Sequence, residues 1–559
     1  MHNKKPGKYF YLLIGILICF SSCQKAILNT DLIITNAKIW TGNEQQVIAE
    51  SMAIIGDSIL AVGSNEDILK LKGNETEIID LKGGFITPGF IDTHVHIIGG
   101  GNSLLSVDLK EATTQEEFIK RIAEYAKSID SGTWILEGNW DNTLWGGELP
   151  NKDWIDEYTS ENPVLIYRID GHAVLANSLA MEMAGITRDT DDIIGGEIIR
   201  NEDGTLTGVF KENAMSLLFD KMPPFTDKQN MSSFKAAMNY FSSHGVTSVH
   251  DMDGLHKIYA SYDTAELLKE SNDLSIRIYA VAPLPDWNDL ANRESKNNKW
   301  LKTGGLKGFI DGSLGSRTAA LIEPYSDKAS YSGLFVNSEE DLYEWISSAD
   351  KQNLQVMVHA IGDSAIKTLL TIYERIIKEN GKRDRRLRIE HAQHIAPEDF
   401  ERFTELGVIA SMQPYHAIDD GRWVEERVGP KRLKTAYGWN SLFEANAIVA
   451  MGSDWPVAPA VPLKTIYAAV TRRTLDGKNP DGWVPGQKIT VEQALMAHTK
   501  NAAYASFDEN IKGTLEPGKL ADFVVLSEDL FSIKPVSIKD VKVLQTYVGG
   551  KKVYDDKIE

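Results

Sequence analysis

Hydrophobic positions near the start of the chain recur every second residue. DLIITNAKIWTG (31–42), ESMAIIGDSILAVGS (50–64) and ETEIIDLKGGFITPGF (75–90) each hold short apolar runs broken by Gly, Asn or Asp. That alternation predicts strands with one buried face. The same style returns in GTLEPGKLADFVVLSEDL (513–530) and VKVLQTYVGGKKVYDD (541–556). Chain ends of one domain often lie together, so segments 31–86 and 500–556 are expected to close into one accessory β-sandwich.

Between these ends, apolar runs bounded by turn residues alternate with helical patterns, as in βα units around parallel strands. The predicted barrel strands are FIDTHVHI (90–97), TWILEGNW (133–140), VTSVHDM (246–252), LKGFID (306–311), LQVMVHA (354–360), LRIEHAQ (387–393), VIASMQP (408–414) and IVAMGSDWP (448–456). Eight strands predict an α/β fold, a (β/α)8 TIM-type barrel over 87–499. The gap after the second strand is too long for one helix. It holds PVLIYRIDGHAVLANSLAMEMAGI and the hairpin-like GGEIIRNEDGTLTGVF, so an inserted subdomain is expected over about 141–225.

Composition narrows the function. With 42% hydrophobic and 25% charged residues the chain is globular, and a net charge of −20 argues against a nucleic-acid partner. The first 23 residues differ from the rest: Lys4, Lys5 and Lys8 precede the apolar run YFYLLIGILICF, then Ser21, Ser22 and Cys23. The run falls well short of the ~20 residues of a membrane span and reads as a signal-peptide core. The small pair before Cys23 is similar to a bacterial lipobox, in which the cysteine is lipidated, with Phe20 departing from the usual aliphatic residue; an ordinary cleaved signal or a short uncleaved anchor is the alternative. The only cysteines are Cys19 and Cys23, so Cys23 is not kept for a disulfide. An exported, membrane-tethered protein is expected. Oligomeric state leaves no mark.

Candidate chemistry gathers at the predicted strand ends, where barrels place reactive groups. His94 and His96 end strand one, Lys307 lies in strand four, His359 ends strand five, His391 strand six and Asp454 strand eight. Histidines two apart on a strand share a face, so both imidazoles can reach one metal ion. Lys307 shares its face with Phe309 and Asp311, an odd place for a cation. It could be an edge charge, half of an ion pair with Asp311 or Glu390, a catalytic amine, or a modified ligand.

The motifs FIDTHVH, VHAIGDSA, IEHAQ and GSDWP, in that order, resemble the amidohydrolase superfamily. KGFIDGSLGSRTA and DGHAVLANSLA resemble its amidohydrolase-3, or YtcJ-like, branch, which includes N-substituted formamide deformylase. The likeness spans nearly all the chain after the signal. It implies the barrel, the sandwich and one or two divalent ions (Zn foremost; Mn, Fe or Co as alternatives) held by His94, His96, a carbamylated Lys307, His359, His391 and Asp454. Carbamylation uses carbon dioxide and turns a cation into a two-oxygen anion able to bridge metals. The implied activity is hydrolysis of a small-molecule amide such as an N-acyl or N-formyl amine, with Asp454 moving the proton. His172, in RIDGHA, becomes a substrate or oxyanion contact beside Asp454, or simply caps a loop. Asp311 and Arg317 contact substrate or order the loop after strand four; Trp140 walls a pocket or belongs to the small core of the insertion, and His416 is a further candidate pocket residue. Lactone, ester or cyclic-amide hydrolysis suits the same centre. Deamination ranks lower, because HAIGDSA offers only Asp363 where family deaminases add a glutamate. A solute-binding lipoprotein fits the leader equally well, but has no need of these converging ligands.

Overall fold

The computed structural model describes residues 30–556 except 170, 194–195, 220–221, 223–225, 253–259 and 295–296. The signal-like segment 1–23 with Cys23 lies outside the described residues, as does Phe225 at the expected end of the insertion. A sheet of eight parallel strands forms the body: Phe90–Val95, Val246–Asp251, Arg277–Pro283, Leu301–Phe309, Gln355–Ala360, Arg388–His391, Ile409–Met412 and Val449–Met451. The first and last meet through a bridge between Val95 and Trp455, with Asp454 N–H donating to His94 O (2.8 Å) and His96 N–H to Trp455 O (2.9 Å). Closure needs glycine at 452, where a Cβ would lie 2.6 Å from Asp92 Oδ1 and 2.7 Å from the His94 nitrogen. Seven of the expected strands are therefore in place.

The exception is TWILEGNW. Ile135–Trp140 belongs to a separate five-stranded sheet with Val164–Arg168, Ala173–Ala176, Gly196–Arg200 and Leu206–Glu212, and the barrel position is taken by Arg277–Pro283. Both are short strands of six and seven residues, and local pattern alone does not tell one sheet from another. The insertion also begins earlier than residue 141. Helix Gln115–Ser128 packs Phe118, Ile122 and Ala126 onto Ile135, Val164 and Ile166 of that sheet.

The chain ends form two sheets, one of four N-terminal strands and one of six that joins Phe85–Pro88 to Phe523–Leu526. Ile34, Ile39, Met52, Ile54, Ile86, Phe523 and Val525 fill the space between them, which is the accessory sandwich. Helix Lys500–Ala505, placed with the sandwich by sequence, instead packs Ala502 and Ala503 on Ile91 of the barrel. A buried bidentate pair, Arg277 to Asp522 (2.6 and 2.9 Å), ties the sandwich to the third barrel strand. The barrel's lower end is charged as well: Asp508 meets Lys302 at 2.9 Å and Lys512 at 3.2 Å, and Lys512 also donates to Ser248 Oγ.

Candidate metal centre

The carboxyl ends of the barrel strands bring six predicted residues into one neighbourhood. Asp454 Oδ1 lies 3.5 Å from His94 Nε2 and 3.4 Å from His96 Nε2. The His391 ring centroid lies 4.9 Å from that of His94 and 4.5 Å from that of His359. Lys307 Nζ is 3.1 Å from His94 Nε2. Two of these positions depend on local backbone: His391 (φ 72°) and Asp454 (φ 64°) are left-handed. At His391 the turn falls at the end of a strand whose residues Arg388–His391 are all buried, and the ring stands beside those of His94 and His359.

The donor set fits a divalent ion. Bonds of about 2.0–2.1 Å in a tetrahedron set ligand atoms roughly 3.3–3.4 Å apart; Asp454 Oδ1 stands at about that spacing from both imidazoles, and the three ligand atoms of His94, His96 and Asp454 all lie within 4.8 Å of one another. The ring tautomers are fixed by acceptors behind them. His94 Nδ1–H donates to Glu390 (2.7 Å), His391 Nδ1–H to Gln413 Oε1 (2.9 Å) and His359 Nε2–H to the Gly312 carbonyl (3.2 Å). Each bond leaves the opposite nitrogen with its lone pair. Burial, with Lys307 nearby, pulls His94 down to about 4 and His359 to about 3, and burial with neighbouring imidazoles pulls His391 well down. These rings are neutral at physiological pH, the state that binds metal. Burial alone would raise Asp454, but the imidazoles of His94, His96, His391 and His416 hold it well below the usual carboxylate range, so it is ionised.

Lys307 is 3% exposed and burial draws its pKa down to about 8. Phe309 does share its face, with the ring centroid 4.8 Å from Nζ. The two carboxylates offered by sequence as ion-pair partners are engaged elsewhere. Glu390 pairs with Arg388 (2.7 Å) as well as His94, and Asp311 accepts amides from Ala320 (2.9 Å), Ile361 (3.0 Å) and Gly362 (2.8 Å).

The remaining candidates scatter. His416 Nε2 lies 3.7 Å from Asp454 Oδ2, at the rim of the centre. Asp311, 3.7 Å from His359, spends its oxygens on backbone amides that pin the loop after strand four. Arg317 pairs in that loop with Asp327 (2.8 Å), which Arg427 shares. Trp140 is fully buried and donates its indole N–H to Ile166 O (3.1 Å); it belongs to the core of the insertion and offers no surface to a ligand. His172 Nδ1 lies 3.0 Å from Glu212 Oε2 on the insertion.

Sequence reasoning missed the supports. Arg388, fully buried, holds Glu390, His250 Nδ1 (2.8 Å), Thr93 O (2.8 Å) and Ser411 Oγ (3.0 Å). The i, i+2 spacing of Arg388 and Glu390 was a signal that both face inward. Gln413 and Glu212 gave none.

A barrel with imidazoles and a carboxylate converging at its carboxyl face is the architecture of metal-dependent hydrolases, and the comparisons with known proteins agree. The model of the amidohydrolase family matches residues 77–554, and the chain belongs to that family. It is 41% identical to Protein LONG AFTER FAR-RED 3 of Arabidopsis thaliana over 543 residues, covering 94% of this chain and 91% of that one. It is 30% identical to YtcJ of Bacillus subtilis, which carries the amidohydrolase name, over 92% of this chain and 98% of the relative. N-substituted formamide deformylase of Arthrobacter pascens is 25% identical over 94% and 98%. Among solved structures, an uncharacterized metal-dependent hydrolase from Pyrococcus horikoshii superposes with a TM-score of 0.76 at 28% identity, covering 90% of this chain and 99% of that one.

Proposed function

We propose that this amidohydrolase cleaves a carbon–nitrogen bond of a small, non-peptide amide, of the N-acyl or N-formyl amine kind. His94, His96, His359, His391 and Asp454 would hold one or two divalent ions, zinc foremost, with Lys307 carbamylated as a bridging ligand. Such ions acidify a water and polarise the scissile carbonyl. The observation that carries this reading is Asp454 Oδ1 at 3.4–3.5 Å from both His94 and His96.

The chain's own groups do the rest. Ionised Asp454 accepts the proton of the attacking water and returns it to the leaving nitrogen. Without that second transfer an amine is a poor leaving group. The buried ε-amine of Lys307, with its pKa near 8, is partly neutral at physiological pH, the form that takes up carbon dioxide. His172 reaches the substrate from the insertion. The deformylase likeness supports an amide over other acyl compounds.

The leader supports export, with Cys23 as the lipid-bearing residue and the enzyme held at a membrane facing away from the cytoplasm. The test is turnover: protein loaded with zinc, manganese, iron or cobalt in bicarbonate is screened against N-formyl amines, N-acyl amines, N-acyl amino acids and lactones. Release of a substituted amine is the expected result. Ammonia as the nitrogen product, or turnover confined to lactones, would overturn the amide reading.

A further inference from the structure

We propose that Phe309 sets the size of the acyl group this enzyme accepts, as a wall across the barrel from Asp454 that admits a short acyl chain; this rests on the hydrolase reading above. Phe309 ends the fourth barrel strand, Leu301–Phe309, two residues beyond Lys307 and on its face. Its ring centroid stands 4.8 Å from Lys307 Nζ and 5.4 Å from the centroid of His359. Strand register explains the second distance, because parallel pairing sets Phe309 directly beside His359.

Packing accounts for the other face of the strand. A Cβ on Gly308 would lie 2.6 Å from Leu284 Cδ2 and 3.5 Å from Val358 Cγ2, so that side points into the layer around the barrel. Phe309 therefore faces the barrel mouth, where its ring is half-buried above the sealed Lys307. The backbone here is held on both sides: Asn337 Nδ2 donates to Phe309 O at 2.9 Å, and Ile310 N–H donates to His359 O at 3.1 Å. A ring fixed in this way is a wall, not a movable flap.

The direction of the substrate follows from the ring of strands. Asp454, just past strand eight, returns a proton to the leaving nitrogen, so the amine half of the amide lies on that side. In a closed ring of eight, the fourth strand stands across from the eighth. The acyl half, beyond the carbonyl carbon, is directed at Phe309. The aromatic ring occupies volume that a longer acyl chain would need, whereas a formyl or acetyl group stops short of it. One methylene in an apolar pocket is worth roughly 10- to 200-fold in specificity.

The test uses full-length, zinc-loaded protein and two substrate series. N-formyl, N-acetyl, N-butyryl and N-hexanoyl benzylamine vary the acyl half; N-formyl derivatives of butylamine, benzylamine and tryptamine vary the amine. Wild type should favour formyl or acetyl. Phe309→Ala should raise the kcat/KM ratio of hexanoyl to formyl at least about 10-fold and leave the amine ratios within about twofold. Phe309→Leu, which keeps an apolar side chain, should move the acyl ratio the same way, and Phe309→Trp the opposite way. Loss of metal lowers all rates together and leaves these ratios alone. A wild type that prefers hexanoyl, an unchanged acyl ratio in Phe309→Ala and Phe309→Leu, or a shift that follows the amine would overturn the proposal. Carboxylate products give a readout without turnover. By calorimetry, the affinity for hexanoate relative to formate should rise about 10-fold in Phe309→Ala; equal changes for both acids would defeat the wall. If wild type cleaves no amide of either series, the amide reading falls, while the carboxylate ratios still decide the role of Phe309.

Discussion

His94 donates its Nδ1–H to Glu390 across 2.7 Å, and the two side chains are 1% and 0% exposed. The carboxylate is itself clamped by Arg388, and although burial alone would raise it, Arg388 and the His94 hydrogen bond hold its pKa down to about 2. The His94 imidazole is thus oriented by a buried carboxylate that stays ionised near neutral pH.

Glu390→Gln keeps the shape and removes the charge. Zinc affinity, measured by competition with a chromogenic chelator, should fall about 10- to 100-fold. The unpaired Arg388 should also cost about 3–5 kcal/mol of stability. Unchanged affinity would show that Glu390 serves the fold alone.

Asp454→Asn retains a ligating oxygen but cannot accept a proton as a carboxylate does. Turnover should drop by about 10²–10⁴-fold while substrate binding persists. Rates like those of wild type would remove Asp454 from its role as proton carrier.

Lys307 carries the clearest chemical signature. Carbamylation adds about 44 Da to the native mass and two oxygens of density beyond Nζ. Protein prepared in 13C-bicarbonate should show one carbamate carbon that is absent from Lys307→Met. A bare ammonium in active, metal-loaded protein would contradict the bridging role.

Asp508 tests the lower end of the barrel. Burial alone would raise its pKa, but Lys512 and Lys302 hold it below 3.8. A carboxylate depressed in the folded state contributes stability above its unfolded value and loses it as pH falls through the folded one. Asp508→Asn should therefore cost about 3–5 kcal/mol at pH 7, with thermal midpoints of variant and wild type converging below about pH 3.8. A gap that persists in acid would mean that packing, not charge, explains the loss.

Much of the centre was legible because it obeys local rules. His94 and His96 declare themselves by period two, and His359, His391 and Asp454 by closing apolar runs. Lys307 stood out as a cation on an inward face. The third barrel strand was not legible, since Arg277–Pro283 and Ile135–Trp140 are both short strands and only long-range pairing assigns them to different sheets. Trp140 misled for a related reason: an aromatic can wall a pocket or fill a core, and only burial decides. Glu390, Gln413 and Glu212 act across 296, 22 and 40 residues of chain from their histidines, a relation no local pattern encodes.

The most direct test is metal content. Protein folded with zinc and bicarbonate, then desalted, should hold at least one equivalent of zinc by mass spectrometry, and the His94→Asn, His96→Asn double variant should hold far less. Wild type without stoichiometric metal, or a double variant that keeps it all, would contradict a centre built on His94, His96 and Asp454.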